Sequence, residues 1–140
     1  RANVFSNNGN TYERRGGRDI TRNGVMAADF GAGDWYIDCT TSIDWLDCRM
    51  TEDVFGALVG TSTKIPYTQA GIDLIASVVR ARLAAGVTNG HIDEGFALSV
   101  PDIDEVSAAD KTTRCLTNVT WTATLAGAIH KVEINGTVTV

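Results

Sequence analysis

The stretch from Lys64 to Gly90, KIPYTQAGIDLIASVVRARLAAGVTNG, constrains the fold most, because it marks a helix at both ends. Pro66 sets the approach, where a missing backbone donor costs nothing, and Thr68 is placed to cap the first turn. Ile72, Ile75, Val79 and Leu83 recur at three- and four-residue steps, with Leu74 and Val78 widening the stripe. Asp73, Arg80 and Arg82 fall off it. Gly86 reads as a left-handed C-cap and Asn89-Gly90 as the turn beyond. The spacing predicts a helix over 68–85 that must bury one face.

A second helix is predicted over 41–59. Thr41 and Asp44 form a Ser/Thr-x-x-acid start, and Ile43, Leu46, Met50, Val54 and Leu58 keep helical spacing beside Trp45 and Phe55. Trp35 to Thr40, just before it, has strand-like content, and Gly60 to Thr63 is the exit. Two helices joined by a short Gly/Ser/Thr/Pro linker form an αα-hairpin or a pair crossing one sheet face.

Beyond Gly90 the period changes from helical to alternating. Phe96 to Val100 is strand-like and is stopped by Pro101. Asp102, Asp104, Glu105 and Asp110 make an acidic connector, with Ser107-Ala108-Ala109 as a single helical turn; the residue order of a calcium loop is absent. Val119, Trp121, Ala123 and Leu125 alternate with Asn118, Thr120, Thr122 and Thr124, a half-buried strand within 116–125. In the terminal stretch Lys131 to Val140, the residues Val132, Ile134, Val138 and Val140 share one parity against Lys131, Glu133, Asn135, Thr137 and Thr139. It reads as a strand needing a partner edge, or as a hairpin at Asn135-Gly136.

Before the helices, Asn8-Gly9 and Asn23-Gly24 predict two small hairpins in the first 28 residues. This region holds five arginines up to Arg22 against Glu13 and Asp19, whereas Asp29 to Asp53 holds seven acids against Arg49 alone. The two segments therefore face different partners or attract each other. The net charge of −5 argues against a nucleic-acid binder. No apolar run reaches the roughly 20 residues of a membrane span, and no signal peptide is visible. The chain starts at Arg1 rather than Met, as a fragment or processed product does.

Chemistry is sparse. Cys39, Cys48 and Cys115 cannot close a disulfide framework and read as buried thiols. His91 and His130 sit in no metal spacing, and Gly31-Ala32-Gly33 lacks the context of a phosphate loop. Asp38, Asp44 and Asp47 offer carboxylates for acid–base work, but the dipole at a helix start favours acids there by itself. No catalytic residue and no cofactor are assigned, and the chain is read as not an enzyme.

Several stretches together carry a resemblance. They are Tyr36-Ile37-Asp38, Asp44-Trp45-Leu46, the run Lys64 to Ile72, Leu83 to Ile92, Val100-Pro101, Asp110 to Arg114, and Leu125 to His130. In order and spacing, from about Asn23 to Val140, they resemble the carboxy-terminal part of contractile-tail bacteriophage sheath proteins. Pro66-Tyr67-Thr68 with Ala70-Gly71-Ile72, and Ala126-Gly127-Ala128-Ile129-His130, carry most of the weight. Lys111 and Thr112 depart from the Arg and Ala common there, and the segment up to Arg22 matches least.

The change of period near Gly90 predicts an α+β fold, two helices packed on a mixed or antiparallel sheet, and the resemblance adds terminal strand arms for β-augmentation between subunits. The resemblance divides the chain into an amino-terminal hairpin or arm region, 1–28, and a sheath core domain, 29–140, ending in a strand arm, 128–140. It implies a homo-oligomeric stack of sheath rings in the virion tail, assembled in the host cytoplasm. The partners are the tail tube protein and baseplate and tail-terminator proteins, with no nucleic acid and no stable membrane insertion. Lys131, Val132, Glu133, Ile134, Val138 and Val140 form the expected inter-subunit strand, and Arg80 and Arg82 are candidate tube contacts. Two other readings stay open: a non-contractile tail component, baseplate or tube-like, and a small hydrolase using Asp38 or Asp44.

Overall fold

The computed structural model describes residues 4, 6–22, 24–26, 36–60 and 64–139. Asn23, Gly31 to Gly33, Trp35, Thr61 to Thr63 and Val140, each used in a sequence reading above, lie outside the described residues. The elements run β1 (Thr11–Arg15), β2 (Arg18–Arg22), α1 (Ile37–Val59), α2 (Gln69–Thr88), β3 (Ala97–Ser99), α3 (Ala108–Thr113) and β4 (Thr120–Thr122). Two long helices packed on each other, a short third helix and two small antiparallel sheets give an α+β fold.

α2 forms as its caps dictate. The Thr68 side chain accepts from the Gly71 N–H at 3.4 Å, satisfying one of the donors that a helix start leaves without a partner. Its buried residues are Gly71, Ile72, Ala76, Val79, Leu83 and Gly86, so three small residues are buried with the large ones. Leu74 is exposed, not part of the stripe. Gly86 is not the C-cap either. The helix continues to Thr88 because Gly86 is needed inside it, where Leu46 and Ile92 pack against its missing side chain. Reversal comes at Gly90, φ +72, and the His91 N–H returns to the Gly86 carbonyl at 2.9 Å.

α1 begins four residues earlier than its Thr-x-x-Asp signal indicates. Tyr36, extended and without a side-chain cap, is the N-cap, and the Thr41 hydroxyl donates back to the Ile37 carbonyl instead of capping. The cause is tertiary. Tyr36 bridges Val25, and the Ile37 N–H donates to the Gly24 carbonyl at 2.8 Å, so the amino-terminal segment supplies the acceptor that a cap would. Ile37 to Thr40 are therefore helical, not strand.

The amino-terminal hairpin differs from the Asn-Gly reading. β1 pairs directly with β2 across Gly16-Gly17, both at positive φ. Two consecutive residues free to adopt that region make the tight turn, and Asn8-Gly9 and Asn23-Gly24 fall outside the ladder.

The core is Leu46, Val79, Leu83 and Ile92, with Trp45, Met50, Val54, Phe96, Leu98 and Leu125 packed around it. β3 pairs β4 with Leu98 opposite Trp121, and the ladder resumes after a local offset where Ile92 bridges Leu125. Regular strand is thus shorter than the alternation over 116–125 predicts. The parity holds in part: Val119, Ala123 and Leu125 are half-buried and Asn118, Thr120, Thr122 and Thr124 are exposed, but Trp121, expected on the inner face, is exposed too. Ser107 caps α3 by accepting from the Asp110 N–H at 3.1 Å, and Arg114 ends it in the left-handed region. Cys48 and Cys115 are exposed and Cys39 is half-buried, so the buried-thiol reading fails.

Candidate functional site

Three surface features stand out: a terminal arm, its anchoring point and an apolar groove. Residues 128–139 adopt no helix or strand and are exposed. Val132, Ile134 and Val138, the apolar parity of the arm, stand 71%, 88% and 96% exposed. No hairpin forms at Asn135-Gly136. The Lys131 ammonium and the Glu133 carboxylate pair with each other, which leaves this part of the arm neutral.

The arm leaves the body at a junction of distant segments. The Ala128 N–H donates to Asp38 Oδ2 at 3.0 Å, and the His130 ring meets Tyr36 edge-on at 4.7 Å. Tyr36 in turn bridges Val25, whose backbone is held from both sides by the Asn10 side-chain amide at 2.8 and 3.1 Å. The amino-terminal segment, the start of α1 and the base of the arm therefore meet at one point. Asp38 also sits in the first turn of α1, where the helix dipole favours a carboxylate.

The groove, about 820 Å³, runs between α1 and the strand region of β4. Ile43, Met50, Val54, Phe55, Trp121 and Leu125 supply apolar wall, and Asp44 and Asp47 stand along its helix side. Phe55 is 63% exposed, and Ile43 and Leu58 are exposed as well. The signal was present in the sequence, since the apolar residues of α1 spread wider than one neighbouring helix can cover. The β3–β4 sheet has two strands, so each keeps one edge unpaired among the described residues.

The two arginines differ in kind. Arg82 donates through Nε and Nη2 to Asp53 Oδ2, both at 2.6 Å, and its guanidinium lies 5.2 Å from the Trp45 ring centre. On the same indole His91 stacks at 4.3 Å, and its Nδ1 lies 3.0 Å from the buried Ser42 hydroxyl. This cluster ties α1 to α2 and to the turn after it. Arg80 is exposed, beside Asp73, Asp102 and Glu105 along a shallow polar depression. Replacing Arg82 by Ala is expected to cost about 1–2 kcal/mol, the sum of a half-buried ion pair and a cation–π contact. Arg80→Ala is expected to change stability by less than about 0.5 kcal/mol. Urea denaturation of the two variants checks the contrast.

The Tyr67 hydroxyl donates to the Cys115 carbonyl at 2.9 Å, joining the Pro-Tyr-Thr segment to the end of α3. Loss of solvent, then the Asp110 carboxylate and the Cys115 thiol, raise its phenol above the ordinary 10. Among the described residues no group of three His, Cys, Asp or Glu lies together to hold a metal ion. Among the same residues no helix is long and apolar enough to cross a membrane.

A family model described as the E217 tail sheath protein gp31-like, C-terminal domain, matches residues 37–138. That span takes in both long helices, the β3–β4 sheet and the arm. No curated protein matches the chain.

Proposed function

This chain belongs to the E217 gp31-like tail sheath family through its C-terminal domain, and from that membership we propose that it polymerises around a tail tube and contracts. Membership carries a structural role in a phage tail sheath, as one subunit of a multimeric assembly in the virion tail. Our reading adds the action: contraction drives the tube through the host envelope, after assembly in the host cytoplasm with baseplate and tail-terminator proteins. The 1–28 region and the 128–140 arm flank the sheath core on this reading.

One observation carries the proposal. Among the described residues the arm has an alternating apolar face and no strand partner, while the β3–β4 sheet keeps unpaired edges. An unpaired apolar strand is an aggregation risk unless another sheet takes it in. Strand addition to a second copy satisfies both, and main-chain hydrogen bonds survive the rigid-body rotation that contraction requires. Lys131 to Val140 form that link, and the Tyr36–Asp38–His130 junction fixes where it leaves the body. Tube contact falls to Arg80, because the charge of Arg82 is already held by Asp53.

Negative-stain microscopy of the purified chain tests the reading. Tubular polymers or stacked rings are expected. A chain that stays monomeric at high concentration, with the arm intact, counts against it. Arg80→Glu is expected to weaken co-assembly with the tube while leaving self-polymerisation intact.

A further inference from the structure

The arginine-rich start and the acidic stretch ahead of Phe55, set apart by sequence, contribute two surfaces of opposite charge. Among the described residues β1 and β2 form a hairpin with no substantial packing on any other helix or strand, although the Thr11 hydroxyl and a Glu13 carboxylate oxygen at its base are buried. A two-stranded hairpin alone is marginal in water. Its register makes it worse, because Arg15 lies directly opposite Arg18 at the tip, a like-charge pair that destabilises a ladder. Ile20, opposite Glu13, shares the Arg15–Arg18 face and is exposed. The hairpin tip thus presents one aliphatic side chain flanked by two cations, while Glu13 on the same face is largely covered beside Arg22.

The groove along α1 presents the complement. Its wall is apolar, with Ile43 and Phe55 open to solvent. Asp44 and Asp47, three residues apart on the helix and so on one face, stand beside it, and no ion pair holds either among the described residues. Asp53, by contrast, is neutralised by Arg82. The acids around Asp102 border a depression that offers a hairpin little apolar surface. The terminal arm lacks the charge for the groove, since Lys131 and Glu133 cancel.

We propose that the β1–β2 hairpin tip seats in the α1 groove of a second copy of this chain, Ile20 on its apolar wall and Arg15 and Arg18 on Asp44 and Asp47. Docking covers the exposed hairpin tip, relieves the opposed arginines and closes an apolar surface otherwise left wet. It is separate from the terminal-arm link, which involves neither charge pair, so either contact can fail without the other.

The test uses the full chain in two variants, Arg15→Glu with Arg18→Glu and Asp44→Lys with Asp47→Lys, with circular dichroism confirming native helix content. Self-association is measured by sedimentation at about 0.05 M and about 0.5 M salt, where screening differs strongly. The native chain is expected to associate more weakly at high salt. Each variant alone is expected to bind itself about tenfold more weakly than the native chain, as like charges replace opposite ones. An equimolar mixture is expected to recover most of the affinity, because reversed hairpins meet reversed grooves. Three results overturn the proposal: a native chain monomeric at low salt, variants that associate as the native chain does, or a mixture no better than its parts. Recovery only when all four changes share one chain also overturns it, since the hairpin then docks on its own groove.

Discussion

Ending the chain after Gly127 is expected to weaken polymerisation sharply while leaving a folded chain. Residues 128–139 are exposed, and their ties to the body are the Ala128–Asp38 hydrogen bond and the His130–Tyr36 ring contact. Losing both costs about 1–2 kcal/mol, a modest fall in melting temperature. The loss between subunits is far larger. Each ladder hydrogen bond contributes about 1 kcal/mol net, and each buried valine or isoleucine roughly 1.5–3. Removing several of each weakens association about a thousandfold or more. Circular dichroism and melting follow the fold, and light scattering follows the polymer. A truncated chain that no longer folds, or that polymerises as before, would assign the arm to its own core.

The largest effects on stability are expected where α2 meets its neighbours. Leu83 is fully buried among Leu46, Val79 and Ile92, and Leu83→Ala is expected to cost about 2–5 kcal/mol, since the cavity cannot close between two rigid helices. That is a large share of the roughly 5–15 kcal/mol by which domains are stable. Gly71→Ala is expected to be costly despite the higher helix propensity of alanine. A Cβ there stands 2.1 Å from the Pro66 carbonyl oxygen, so backbone must move, at about 1–3 kcal/mol. Gly86→Ala is expected to do much less harm. Its Cβ meets only side-chain atoms of Leu46 and Ile92, at 3.2 and 3.3 Å, which yield by a small rotation. Urea midpoints of the three variants rank them. Gly71→Ala at or above native stability would mean that the Pro66 approach is looser than the geometry requires.

Local signals were read correctly where local physics decides. Thr68 caps α2, the parity of 119–125 sorts half-buried from exposed except at Trp121, and Ser107 starts a helix, because a cap or a pleat needs only near neighbours. The readings that failed depend on competition with distant groups. Asn-Gly is a strong turn signal, yet Gly16-Gly17 won because a register across it pairs five residues on each side. α1 starts early because Gly24 and Val25 reach it from outside, and Gly86 lies within α2 because Leu46 and Ile92 fill its space.

The assembly surface divides in the same way. The apolar parity of the arm and the opposite charges of residues 1–22 and 29–53 were determined by the sequence alone. Composition and period fix which residues share a face. Tertiary structure decided which faces stay open. Arg82 and Arg80 are two residues apart, yet the angle at which α1 meets α2 puts Asp53 and Trp45 beside one and leaves the other exposed. The same packing covers Leu46 and exposes Ile43 and Phe55, because a helix can be covered on one side by a single neighbour and on no more.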